Sequence, residues 1–141
     1  MKLYTVLVLL ILFRAYNAGK QGVAVKGGLL CNGKPYPNAK IQIFDVDRLP
    51  GDSDELLDQN ISGSMGRFLL DGTTNEVTNI EPEIRIYHKC NFDGAKTCQK
   101  KYVRPIPSEY IYGIESERRF YDFRQIELAV LTKHDKGEIC D

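Results

Sequence analysis

Four cysteines, Cys31, Cys90, Cys98 and Cys140, are the residues of this sequence best equipped for covalent chemistry. A zinc site would call for close-spaced ligand pairs such as Cys-x-x-Cys, and the spacing offers none. An even number with none left over leaves no spare thiol for catalysis and reads as a disulfide framework, with three pairings open. The two histidines are less promising. His88 shares strand parity with Ile84, Ile86 and Cys90, which makes it a packed or hydrogen-bonded structural side chain, while His134 falls in a polar tail and reads as solvated. Asp52, Asp54, Glu55 and Asp58 are spaced closely enough for a hard cation. They lack the Asp-x-Asp-x-Asp-Gly order and the closing Glu, so a solvated loop without metal is expected.

Basic chemistry concentrates in Lys89, Lys96, Lys100, Lys101 and Arg104, with Tyr87 and Tyr102 beside them. Pairing of the flanking strands would bring these charges to one end of the domain. Lys89, Lys96, Lys100, Lys101, Tyr102 and Arg104 are therefore the candidate surface for lipid headgroup phosphates, sulfated glycans or an acidic partner. The competing reading is a charged sheet edge that discourages aggregation. Arg118-Arg119 next to Phe120 and Tyr121 is a smaller hint of the same kind. Asn60-Ile61-Ser62 is the sole N-x-S/T sequon, a glycan acceptor if exposed on its loop in a secretory chain.

The elements that must position these groups follow an export signal. Lys2 precedes an uncharged, largely apolar run from Leu3 to Phe13, then Arg14 and the small residues Ala15, Ala18 and Gly19. A run of that length is short of the roughly 20 residues a bilayer span needs and fits a secretory h-region. Residues 1–18 are assigned to a signal peptide cut after Ala18, and residues 19–141 to one domain. Loss of Lys2 and Arg14 would leave 17 basic against 19 acidic residues, a net charge of −2. That balance exerts no long-range pull toward nucleic acid or an anionic membrane. No further segment reads as transmembrane, so the mature chain is expected to be secreted and extracellular.

The rest punctuates as all-β. Val23, Val25, Gly27, Leu29 and Cys31 alternate with Ala24, Lys26, Gly28 and Leu30, a period-two strand. Residues 32–38 are a turn by composition. A strand from Ala39 to Val46 with Ile41 and Ile43 inward precedes an acidic loop from Asp45 to Asp58. Residues 66–72 form a short strand, and Glu76-Val77-Thr78 suggests an edge strand. Strands follow over Glu83–Cys90, Lys100–Ile106 and Arg119–Val130, with one helical turn within Ser108–Glu117. About seven strands separated by turns argue for a sandwich of two sheets.

Cys31-Asn32-Gly33-Lys34-Pro35, Gly66-Arg67-Phe68, Ile86-Tyr87-His88-Lys89-Cys90, Cys98-Gln99-Lys100-Lys101 and Ile106-Pro107 with Tyr110 occur in an order that resembles the nematode transthyretin-like family of secreted, four-cysteine domains. The resemblance spans about residues 22 to 140 and implies a Greek-key β-sandwich of transthyretin type, exported and disulfide-linked. It does not carry over the 5-hydroxyisourate hydrolase activity of related folds, since the first strand has no His and the chain ends Gly137-Glu138-Ile139-Cys140-Asp141 instead of Tyr-Arg-Gly-Ser. Transthyretin's hormone channel needs an eighth strand, whereas the polar residues 133–137 are unlike one; a monomer or weak dimer is expected. Cys90 and Cys98 flank a seven-residue connection whose pairing would bring their Cα atoms within the roughly 4.4–6.8 Å a disulfide requires. That leaves Cys31 for Cys140, because transthyretin topology sets the first and seventh strands parallel; Cys31–Cys98 with Cys90–Cys140 is the competitor. The functional expectation is a binding or adaptor module for a cell-surface, lipid or protein ligand, with no cofactor and no catalysis. The alternative is an extracellular carrier of a small hydrophobic molecule, which would need an apolar pocket.

Overall fold

A computed structural model describes residues 2–17, 19–113 and 115–141. A helix α1 (Lys2–Asn17) precedes ten strands: β1 (Lys20–Cys31), β2 (Lys34–Pro35), β3 (Lys40–Asp45), β4 (Glu55–Ile61), β5 (Arg67–Asn75), β6 (Pro82–His88), β7 (Cys98–Pro105), β8 (Tyr112–Gly113), β9 (Phe120–Glu127) and β10 (Asp135–Cys140). A single 3₁₀ turn, Ser108–Tyr110, lies where one helical turn was expected. One sheet has the core order β5-β1-β9, with β2 and β8 added to β1; the other has the order β10-β7-β6-β3-β4. This is the two-sheet sandwich read from the alternation.

β1 is the spine because it pairs with four partners, antiparallel to β2, β5 and β8 and parallel to β9. Its inward residues Val23, Val25 and Leu29 meet Ile41 and Ile43 of β3 and Ile84 and Ile86 of β6 in one core, all fully buried. Each such side chain contributes about 1.5–3 kcal/mol on burial. Asn32 and Gly33, both at positive φ (53° and 77°), turn the chain from β1 into β2, as a two-residue hairpin requires. The buried Ser62 hydroxyl accepts the Ala39 N–H and donates to the Tyr36 carbonyl, which holds the next turn closed.

Several expectations are corrected. The acidic loop is shorter than read, because Glu55–Ile61 forms β4 and pairs with β3 through a bulge at Ile43/Phe44. The Asn60 sequon therefore lies in an edge strand, not on a loop. Glu76-Val77-Thr78 is not a strand; Val77 is fully exposed there. The polar tail does form a strand: β10 pairs with β7, with a register irregularity between Asp135 and Glu138. This last strand joins the sheet opposite to that of β9.

β10 also overturns the disulfide order. The bonds are Cys31–Cys90 and Cys98–Cys140, with Cα atoms 5.7 and 4.0 Å apart. Cys98 and Cys140 are register partners across β7 and β10. The register of β6 on β7 would set Cys90 opposite Cys98, but the ladder ends at His88 and Asn91 takes positive φ. Cys90 keeps its inward parity, lies buried and reaches across the sandwich to the end of β1. Asn32 and Asn91 exchange side-chain hydrogen bonds of 2.7 and 3.1 Å beside that bridge.

α1 has 16 residues, and Leu3 and Val6 to Leu12 are more than half exposed. Among the described residues no helix is long and apolar enough to cross a membrane. The cleavage point after Ala18 falls on a residue outside those described.

Candidate functional site

The basic residues singled out in the sequence do not form one surface. Strand parity divides β7: Lys100, Tyr102 and Arg104 share one face and Lys101 the other. The Lys100 ammonium donates to the carbonyls of Cys90 (2.9 Å) and Asn91 (3.3 Å), and Lys89 donates to the carbonyl of Lys96 (2.8 Å). Tyr102 is buried in the core with its ring 5.5 Å from that of His134, and burial pushes its hydroxyl pKa up. Arg104 donates to the Tyr121 hydroxyl and stacks over Phe123. Lys101 lies on the outer face with Lys40, their ammonium groups 5.7 and 4.5 Å from the Tyr87 ring centroid. Arg118 and Arg119 are also engaged, Arg118 with Asp71 and over Phe120, Arg119 with the Glu109 carbonyl and over Tyr110.

The histidines and carboxylates are placed as follows. His88 is buried, accepts the Cys90 N–H on Nδ1 at 3.1 Å and faces the Tyr36 ring edge-on. Burial, then the neighbouring Lys100 charge, pushes its pKa down to about 4. It is a packed, neutral histidine, as its parity indicated. His134 is partly buried against Tyr102, so it is not the freely solvated side chain expected. Of the acidic run, Asp54 pairs with Arg85, which also binds Glu83 and stacks 4.0 Å over Phe44. Asp58 accepts the Asp71 N–H and so stitches β4 to β5. Glu55 instead meets Asp45 and Glu76, with carboxylate oxygens within 4.8 Å of one another. These three could hold one hard cation, although Thr74 already donates to Glu55. Desolvation raises the pKa of Asp45 and of Glu76, and the neighbouring carboxylates add to it.

A larger site lies on the outer face of the β5-β1-β9 sheet. Two cross-strand rows define it: Leu69, Lys26 and Asp122, then Arg67, Gly28 and Gln125. Between them the ladder of β1 on β9 shifts, so that Phe123 and Arg124 stand opposite Gly27 alone. Arg124 occupies positive φ (58°), as the extra residue of a bulge can. Glycine is required at this point. A Cβ on Gly27 would sit 2.7 Å from the Phe68 ring and 3.1 Å from the Arg124 carbonyl, and one on Gly28 would sit 2.6 Å from the Gln125 amide. With no side chain at Gly28, the outer face opens as a groove of about 760 Å³, walled on the other side by Asn60, Ile61 and Gly63. That volume falls within the roughly 300–1,000 Å³ of small-molecule sites.

The groove's charge is unbalanced. Lys26, Arg67 and Arg124 line it and are exposed, and their side chains make no ion pair or hydrogen bond among the described residues. Asp122, the register partner of Lys26, forms no ion pair with it. The Asn60 and Gln125 amides add donors and acceptors, and Leu69 adds an exposed apolar patch. Three uncommitted cations in a concavity can hold phosphate, sulfate or carboxylate groups by charge-assisted hydrogen bonds. None of the three was singled out as a binding residue in the sequence. The available signal was the Gly27-Gly28 pair, since glycine inside a strand marks a bulge or a close backbone approach.

Comparison with known proteins agrees with this architecture. Residues 26–107 match the model of the transthyretin-like family, TTR-52. Transthyretin-like protein 33 of Caenorhabditis elegans is 38% identical over 110 residues, covering 78% of this chain and 76% of that protein. Transthyretin-like protein 5 of the same organism is 39% identical over 129 residues, covering 92% and 91%. Transthyretin-like protein 46 is 33% identical over 119 residues, covering 84% and 66%.

Proposed function

The chain belongs to the transthyretin-like family, and from that membership together with the cationic groove we propose that it is a secreted, extracellular binding or adaptor module without catalytic activity. Its ligand is an anionic group presented on a cell surface, a lipid or a protein. The observation that carries this reading is the groove, in which Lys26, Arg67 and Arg124 stand without a carboxylate partner among the described residues. Export is supported by the apolar run of α1 behind Lys2 and by two disulfides, which persist in oxidising compartments. Passage through the secretory lumen also presents the Asn60 sequon to glycan transfer.

The groove favours capture of an anion over carriage of a hydrophobic molecule. A carrier needs an apolar, enclosing pocket, whereas this groove is open and four of its lining side chains are charged, three of them cationic. The basic group on β7 and the connection before it is a poorer place to test binding. Lys100 and Arg104 are hydrogen-bonded into the fold, so charge reversal there would disturb the domain itself.

The test is capture on immobilised heparin and on anionic vesicles, by wild type and by the triple variant Lys26→Glu, Arg67→Glu, Arg124→Glu, both free of sugar at Asn60. All three positions are exposed and unpaired, so unfolding midpoints should change little. Wild type should be retained and released by salt, because exposed charges are screened over about 8 Å at physiological ionic strength. The variant should pass through. Equal retention of both proteins would refute the groove as the binding site.

A further inference from the structure

The groove carries its own acceptor for a covalent saccharide. Asn60 is exposed on β4, the edge strand of its sheet, and is one of the residues that wall the groove. Its Nδ2 lies 3.4 Å from the carbonyl of Leu69, a residue on the facing wall, and its Oδ1 accepts the N–H of Ile61. The amide nitrogen that would bear a sugar is thus oriented across the groove, not away from the domain. Ser62, the hydroxyl residue of the sequon, is consumed in the fold by its bonds to Ala39 and Tyr36. Transfer must therefore precede closure of the β3–β4 hairpin.

We propose that Asn60 is N-glycosylated and that its proximal sugars lie in the Lys26/Arg67/Arg124 groove, so that the glycosylated form is closed to ligand and the unmodified form is open. The proposal rests on the reading of this chain as exported. In the transfer, Nδ2 forms a bond to the anomeric carbon of an oligosaccharide carried on a lipid diphosphate in the secretory lumen. The anomeric C–O bond to the diphosphate breaks, the lipid diphosphate leaves with the electron pair, and one amide proton passes to the transferase's base. No oxidant or reductant is involved. One N–H remains on Nδ2 after transfer, and it can still donate to the Leu69 carbonyl, which directs the linkage over the groove. The groove suits a sugar chain: Arg67, Asp122 and Gln125 offer partners for hydroxyls, and Leu69 offers an exposed apolar face.

The full chain is expressed in a glycosylating secretory host and recovered from the medium. Three forms are compared: the secreted chain, the same chain after enzymatic release of N-glycans (which leaves Asp at position 60), and Asn60→Gln. Intact mass reports the modification. Limited amine acylation of Lys26, with Lys101 on the opposite sheet as internal reference, reports closure. The expected result is a loss of mass on enzymatic release, with Lys26 acylated several-fold faster in both sugar-free forms and Lys101 unchanged. A secreted chain of unmodified mass would overturn the modification while leaving export intact. A glycan with unchanged Lys26 labelling would overturn closure. Retention of the chain inside the cell would overturn the export reading and this proposal with it. Because the labelling needs no ligand, failure of the sugar-free form to bind heparin would count against the groove's proposed ligand class alone.

Discussion

His88 shows how a single side chain ties chemistry to folding in this domain. Its ring is buried beside the Cys31–Cys90 bridge, accepts the Cys90 N–H and lies near the Lys100 charge, so it stays neutral in the native state with a pKa of about 4. In the unfolded chain it titrates near its ordinary 6.5. Between those values the unfolded state binds a proton that the native state refuses. Stability is therefore full above about pH 6.5 and falls as pH is lowered toward 4, by up to about 3 kcal/mol from this group. The raised carboxylates Asp45 and Glu76 act in the opposite direction on acidification, so the test is a difference. Urea unfolding of wild type and His88→Gln from pH 7 to pH 4 should show a steeper loss in wild type. Parallel curves would contradict the assignment. The buried character of His88 was legible from its parity with Ile84 and Ile86, but its proton chemistry was not, because that depends first on how completely the fold desolvates the ring and then on Lys100 being brought beside it by the β6–β7 connection.

At the scale of elements, the β1–β9 bulge and the β10 strand do most to shape the site and the framework. Gly27→Ala would press a Cβ against Phe68 and the Arg124 carbonyl. It should cost about 1–3 kcal/mol in thermal or urea unfolding, and it should weaken heparin capture by displacing Arg124. An unfolding midpoint equal to that of wild type would mean that the bulge is not held closed at this point. The main strands were readable from period-two alternation and from prolines and glycines at their ends, whereas β4 and β10 were not. β4 reads as a loop because Asp58, Gln59 and Asn60 are polar, yet Asp58 satisfies the Asp71 amide and Ile61 to Glu55 pair with β3. β10 reads as a tail because its pairing comes from the distant β7 and from the Cys98–Cys140 bond. Non-reducing peptide mapping should recover Cys31–Cys90 and Cys98–Cys140 linked peptides; a Cys90–Cys98 peptide would contradict the fold described for residues 89–98. Replacing both Cys98 and Cys140 by Ser should lower stability by about 4 kcal/mol on the chain-entropy model for a loop of this size.

For the whole molecule, the charge sum offers no guide to the ligand. The sequence holds 19 basic and 19 acidic side chains, so attraction to an anion must come from arrangement. The ion pairs Arg48–Glu81, Arg85–Asp54, Arg85–Glu83 and Arg118–Asp71 neutralise three arginines elsewhere on the domain. Lys26, Arg67 and Arg124 remain unneutralised around one concavity. The most direct measurement of this account is amide chemical-shift mapping of the sugar-free domain titrated with a sulfated oligosaccharide. Shifts centred on Gly27, Gly28, Leu69 and Gln125 are expected, and they should vanish at high salt. Shifts centred instead on Lys40, Tyr87 and Lys101, on the outer face of the opposite sheet, would contradict it.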